Sequence, residues 1–565
     1  MPSFVMNRRR GAALAVVLLI AALLLAWDWT WFRPQLQNYV RERSQRQIDF
    51  DKLRIQLDDT SPRIVFNGLR VQNAPWAAVS KPLITAGEIA FTFSWHSLLF
   101  DDKLVVSRLR LVDADVDMER QADGLRNWRL TRPDDRGPGR IKVLTLEALR
   151  SRIHVVHGGI ALELDAAATP LATEETLPRH ADLPLATTID FSGTLRGTRF
   201  DGRALTGRVL SFVDSGVPFG LRGTAHAAGA TLQAEGRVVD LIALGEIDAD
   251  ARLTVGHSDA AGRVTVRHDP RTQQRPSVNA TLVSERIDVA DVLRTPPPVL
   301  PASAAAAASA VKGDDALRRR LQAVDAQLDW RVRQINVPTV APLINTRAQI
   351  QLAQGALTVE RFDVTLADGH LGGHARLDAG GDQPTLSLTA TAHGVHLSAF
   401  ASRWPQAGQF GGELDAQIAW QARGDHVDAL LRSGTGTLAA SLAHASIPAG
   451  LDAKMALDGA GVVAALFKRG ERVAVRCSVV QLDFKNGRGV ARQLGFDTER
   501  VAVVGRGRVD LADRQLEMVL TPHLHRTALF ALQKSVRVAG RFDSPQISLV
   551  ERDENGPVST CAPRG

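Results

Sequence analysis

The residue types that could do chemistry in this 565-residue chain lie in small, scattered sets. Histidines occur in three close pairs: His154 with His157, His370 with His374 in the run HLGGH, and His523 with His525. A helical zinc motif needs a glutamate beside the first histidine, whereas HLGGH centres on two glycines and reads as a turn. On a strand, His154 and His157 point to opposite faces, and His523 and His525 share a face without a third ligand. The run DADVD at 113–117 opens like a calcium loop, but Met118 stands where the obligatory glycine belongs and Gly124 where a bidentate glutamate belongs. GTGTLA at 434–439 imitates a dinucleotide fingerprint with no βαβ alternation around it, and reads as a hairpin glycine cluster. No nucleophile elbow, phosphate loop or paired C-x-x-C occurs, and no carboxylate pair stands apart for glycan hydrolysis. Neither an enzyme nor a metal or cofactor is expected.

The elements that would have to position any site are strands. In LVDADVDMER at 111–120, alternation puts Val112, Ala114, Val116 and Met118 on one face and Asp113, Asp115, Asp117 and Glu119 on the other, an apolar side backed by a wet acidic one. QADGLRNWRL at 121–130 follows as a turn at Asp123 and Gly124, with Asn127 expected to tie down turn backbone and Trp128 to pack on apolar residues. The same period of two recurs at Leu53, Ile55 and Leu57, at Ile89, Phe91, Phe93 and Trp95, at Phe362, Val364 and Leu366, and at Val480, Leu482 and Phe484. Turn signals separate these runs. Helical spacing is confined to 34–45, 314–324 and 524–534, with short turns near 288–294 and 397–403.

The formal charge of +7 arises from basic residues interleaved with acids. That is the pattern of a solvated face rather than a nucleic-acid surface, with contact to anionic lipid headgroups as the alternative. Two cysteines, Cys477 and Cys561, give no ligand spacing, and one long-range disulfide between them stays open. At the N-terminus, Arg8, Arg9 and Arg10 precede GAALAVVLLIAALLLAW, which reaches spanning length with the following WDWTWF. The arginines keep the N-terminus cytoplasmic, and Trp27, Trp29 and Trp31, with Phe32, suit an interfacial belt on the far side. No small-x-small cleavage site precedes the tryptophans. An uncleaved anchor over 11–32 is therefore expected, with the bulk of the chain outside the cytoplasm, which in a bacterium is the periplasm.

Strands with one apolar face must bury it, and the chain has too few helices to cover so many. Separate sandwiches would show several linkers; only the Pro/Ala-rich segment 295–315 qualifies, expected as a flexible loop or a linker dividing the chain into halves. The expected fold is mostly β: an elongated, curled antiparallel sheet whose apolar faces line one hydrophobic groove. An apolar surface of that size implies an apolar ligand.

The whole chain resembles the AsmA family of inner-membrane-anchored periplasmic proteins. The resemblance rests on VFNGLRVQNAPW, with Asn73, Pro75 and Trp76, on DGLRNW, with Asp123, Gly124, Asn127 and Trp128, and on the stretch around Gly505, Gly507, Asp510 and Leu511. It implies kinship with chorein-type bridge proteins, in which a curled sheet holds phospholipid acyl chains, and an association with outer-membrane assembly. It supplies no catalytic residues. The expected organisation is a cytoplasmic 1–10, an anchor at 11–32, an N-terminal module at 33–140, β-rich continuations at 141–294 and 316–440 around the segment 295–315, a C-terminal module at 441–550 and a polar tail at 551–565. Residues expected to line the groove are Ile89, Phe91, Phe93, Val112, Val116, Phe362, Val364, Leu366, Leu482 and Phe484. The expected function is non-enzymatic phospholipid transport between inner and outer membranes. The alternative is an assembly factor that governs protein targeting to the outer membrane through contacts at its sheet edges, with an outer-membrane or periplasmic protein as partner.

Overall fold

In the computed structural model the described residues are 29–551, apart from 59–60, 78–80, 95–103, 130–140, 213–215, 241–244, 269–274, 295–317, 319–320, 339, 382, 401–410, 450–471, 526–533 and 543. Nearly all of the expected anchor at 11–32 therefore lies outside them, as do Trp27 and most of the helices expected at 314–324 and 524–534. Among the described residues no helix is long and apolar enough to cross a membrane. Trp29–Phe32 form one 3-10 turn, in which Trp29 packs against the first hydrophobic core and Trp31 is 55 % exposed.

The chain forms two units, one of residues 1–253 with 263–274 and the other of 254–262 with 275–565. Both are β-structures, as the alternation requires. In the first, Ile48–Asp49 and Lys52–Asp58 pair with Ser61–Val71, followed by Ile84–Phe93 and the 17-residue strand Leu104–Arg120. That long strand pairs in parallel with three short successors, Ile141–Val143, Thr145–Leu149 and Ser151–His157. Antiparallel strands Leu162–Glu175, Leu185–Leu195, Thr198–Thr206, Phe219–Ala227 and Ala230–Val239 continue the sheet. Helix Arg33–Ser44, with Pro34 in its first turn, lays Leu36 on the core built from Phe50, Leu53, Ile89 and Leu111.

In the second unit Ser277–Asp288 pairs in parallel with Asp325–Asn336, after which each strand pairs antiparallel with the next, from Leu343–Ala353 to Ser544–Glu551. Two expectations change here. The sheet is not antiparallel throughout, because two long connections return the chain to the edge it left, as a parallel join requires. The segment 295–315 does not divide the chain into halves, because the strands flanking it are neighbours within one unit. Most other reversals are tight. At Arg196-Gly197, Ala228-Gly229, Gln354-Gly355 and Asn486-Gly487 both central residues have positive φ, the type I′ geometry that matches strand twist.

The strict alternation at 111–120 also fails in one place. Asp113 has φ 50° and Arg150, on the neighbouring strand, φ 48°. Each adds one residue to its strand at the same level, and a bidentate ion pair joins them, Arg150 Nε to Asp113 Oδ1 at 2.7 Å and Nη2 to Oδ2 at 2.8 Å. The paired bulge puts Leu111 and Ala114 into one core. Val112 is turned to the opposite face, beside Glu88, and does not belong with Val116. The acidic comb is only partly wet: Asp113 and Asp115 are exposed, whereas Asp117 and Glu119 are 6 % and 7 % exposed.

Candidate functional site

Cross-strand partners share a face, so the registers can be read as rungs. In the first unit one rung runs through Ile48, Val71, Ile84, Val116, Ile153, Ala166, Phe191, Gly202, Ala225 and Leu232, ten strands without a polar side chain. In the second unit another runs through Ala280, Leu328, Ile350, Val359, Ala375, Leu388, Trp420, Gly436, Phe484, Gly489, Val509 and Leu516. The described helices meet the sheets chiefly at Ile48–Asp49, Lys52–Asp58, Ser277–Asp288 and Gly411–Arg423. Elsewhere many rung residues stay half-buried, among them Ile153, Phe191, Leu328, Ile350, Val359 and Leu388, and Leu232 is exposed.

Of the residues expected to line the groove, Val112 faces the other way, Val116 is on the first rung, and the others lie in different surroundings. Phe362, on the rung beside Val359, is half-buried, while Val364 and Leu366 are buried on the same strand. Leu482 and Phe484 are buried where Leu430 of helix Val427–Ser433, which the helical spacing missed, packs against Trp420 and Phe484. Ile89 and Phe91 belong to the core that Trp29 and Leu36 cover, and Phe93 stacks beside Phe91 at 6.3 Å.

On the face opposite the first unit's rungs, the DGLRNW turn is locked by a buried polar cluster. Asn127 is fully buried; its Oδ1 accepts from the Glu119 N–H at 2.7 Å, and its Nδ2 donates to the Asp117 carbonyl at 2.8 Å and to Asn73 Oδ1 at 3.0 Å. Arg46, just after the first helix, donates to the Asn127 carbonyl. Burial pushes the Arg46 guanidinium down to about 10 and the Asp117 carboxyl up from its ordinary value. Asp123 Oδ1 accepts from the Leu125 N–H at 3.1 Å, while Gly124 takes φ 95°. Asn73 also accepts from the Ala74 N–H; Pro75 is exposed and Trp76 half-buried beside it.

The apolar face of that strand ends in charge. Met118 and Val155 form one rung, and Arg120 and His157 form the next. Arg120 stands directly opposite Arg126 across an isolated bridge, its Nη1 lies 3.1 Å from His157 Nε2, and the Arg126 guanidinium sits 6.0 Å over the Trp128 ring. Trp128 packs against the first core. Burial, and then the charges of Arg120 and Arg129, lower Arg126; burial, and then Arg120, lower His157. Sequence reading passed over this group, although the parity of 116, 118 and 120 already set Arg120 on the apolar side.

At the other end of the chain, Gly505 leaves room for Leu494 and Leu520, and Gly507 lets the Glu517 strand approach. Asp510 accepts from the N–H groups of Ala512 and Asp513, and these bonds with Arg488 hold its carboxyl below the usual range. Leu511 packs on the core of Trp420 and Phe484. One histidine of each pair takes a carboxylate partner, His154 with Asp165 at 2.8 Å, His370 with Asp363 at 3.3 Å and His525 with Asp497 at 2.7 Å; among the described residues no group of three could hold a metal.

The model of the AsmA family matches residues 242–494, largely the stretch that the quoted motifs leave uncovered. The AsmA family protein YhjG of Escherichia coli (strain K12) is 24 % identical over 226 residues, 40 % of this chain and 32 % of that protein. The chain thus spans about a third of the length of that curated relative. No solved structure matches. The family model and the relative both make this chain similar to the AsmA family, the family model over residues 242–494.

Proposed function

We propose that the chain is a non-enzymatic, inner-membrane-anchored periplasmic protein of outer-membrane biogenesis whose apolar strand faces shield phospholipid acyl chains on their way between the two membranes. One observation carries the reading: rungs of apolar side chains and glycines run across ten and twelve strands and remain half-buried where the described helices do not reach. A side chain left half-exposed loses part of the ~25 cal/mol per Å² that burial supplies, and a flexible alkyl chain laid along the rungs restores it. In this reading the face forms a trough, and headgroups stay in water. The likeness to the AsmA family supports a general role in envelope biogenesis. The disulfide at Cys477 suits an oxidising compartment such as the periplasm.

Photo-crosslinking residues placed at Phe362 and Ile418, on the apolar rungs, should capture phospholipid that mass spectrometry identifies. The same probes at Thr389 and Arg361, on the polar face, should capture none. Equal labelling of both faces, or no lipid on either, would sink the reading. The assembly-factor reading has one feature of its own, the terminal strand Ser544–Glu551, whose Ile547 is 72 % exposed. It requires probes at Ile547 to capture protein rather than lipid.

A further inference from the structure

The charged end of the first unit's apolar face is built for something other than its neighbours. Like charges placed directly opposite each other on a sheet destabilise it, yet Arg120 faces Arg126 across their bridge. Neither has a carboxylate partner among the described residues. Arg120 is held by a ring nitrogen, and a donor from guanidinium requires His157 Nε2 to be the acceptor, so the proton of the neutral ring sits on Nδ1. That Nδ1 is buried and has no hydrogen-bond partner. Arg126 lies over the Trp128 ring, a contact that leaves its N–H groups available, and its guanidinium makes no hydrogen bond among the described residues. Two planar donors and a histidine are thus brought together with no carboxylate among their partners in the described residues. The Met118 and Val155 rung lies immediately before it on the same face.

We infer that Arg120, Arg126 and His157 bind the phosphate group of an amphiphile whose alkyl chains lie on the adjoining apolar rungs. The inference rests on the lipid reading above and gives it a polar end. Guanidinium pairs recognise phosphate through parallel charge-assisted N–H···O bonds, and an anion between them turns their repulsion into attraction. The same anion favours protonated His157, whose ring is otherwise held neutral by burial and by Arg120. Of the carboxylates nearest in sequence, Asp117 and Glu119 point to the opposite face, and Asp123 Oδ1 accepts from the Leu125 N–H in the turn.

The test uses the full chain in detergent with four probes: short-chain phosphatidylglycerol, the diacylglycerol with the same chains, glycerol phosphate and inorganic phosphate. Phosphatidylglycerol should bind most tightly, Arg126→Gln should weaken it about tenfold, the worth of one charge-assisted bond, and diacylglycerol binding should not change. In the NMR titration of His157, the pKa should rise when phosphatidylglycerol is bound, and Arg120→Lys should keep part of the affinity. An unaltered melting temperature for Arg126→Gln shows that the loss is not unfolding. Unchanged phosphatidylglycerol binding in Arg126→Gln would overturn the site while leaving acyl-chain capture on the rungs intact. Glycerol phosphate binding as tightly as phosphatidylglycerol would overturn the amphiphile as the source of the phosphate.

Discussion

Asn127 shows how a single side chain can hold a module. Its three side-chain hydrogen bonds satisfy the Glu119 N–H, the Asp117 carbonyl and Asn73 inside a site with no exposed surface. Replacing it with alanine leaves a buried N–H and a buried carbonyl without partners, and each such group costs on the order of 1–3 kcal/mol. Asn127→Ala should therefore destabilise the first unit by about 3 kcal/mol, read as a lower melting temperature and faster proteolysis between residues 46 and 157, while lipid capture at Phe362 in the second unit persists. A melting curve that coincides with wild type would refute the structural role. This much was legible in the sequence: a polar Asn after a glycine turn, beside a tryptophan with an apolar strand to cover. Arg46 was not, because its tie to Asn127 joins residues 81 positions apart and no local pattern marks it.

At the scale of elements, alternation reported the strands faithfully and their registers poorly. Period two is set by the backbone of each strand alone, whereas a bulge depends on its neighbour: Asp113 can add a residue because Arg150, 37 positions later, adds one at the same level and pairs with it. That coupling reversed Val112 and is invisible in a single run of residues. Glycines were likewise read only as turn signals, although several stand inside strands for packing. Gly373 and Gly372 are adjacent in HLGGH and have opposite surroundings. A Cβ at Gly373 would meet the Thr389 carbonyl oxygen at 2.2 Å and the Phe362 ring at 2.9 Å, while one at Gly372 would find its nearest atom, the Phe362 carbonyl oxygen, at 3.4 Å. Gly373→Ala must push two strands apart and should cost about 2 kcal/mol. Gly372→Ala should be neutral or stabilising by up to about 1 kcal/mol, through the smaller entropy of the unfolded chain. Chemical denaturation of the two variants side by side decides it; equal losses would mean that the close approach at Gly373 is not what the glycine serves.

For the whole molecule, the question is whether its apolar faces store lipid or pass it along. Both units carry the same construction, an apolar rung backed by a charged face, with cross-strand pairs such as Arg263 with Asp248 and Arg508 with Glu517 keeping the outer side wet. A store needs only one occupied stretch, whereas a conduit needs every stretch to accept chains in turn. Placing a charge on one rung separates the two. Ile418→Glu sets a carboxylate among Ala390, Leu438 and the other residues of its rung, where a passing alkyl chain would have to desolvate it. A conduit then loses lipid delivery from donor to acceptor vesicles by at least tenfold, although a crosslinker at Phe191 in the other unit still captures lipid at the wild-type level. A store loses only the lipid bound near Ile418, and delivery does not depend on the substitution. If Ile418→Glu leaves both delivery and local capture unchanged, the rungs are not the path of the lipid. The exposed strand Ser544–Glu551 then becomes the surface through which the chain acts.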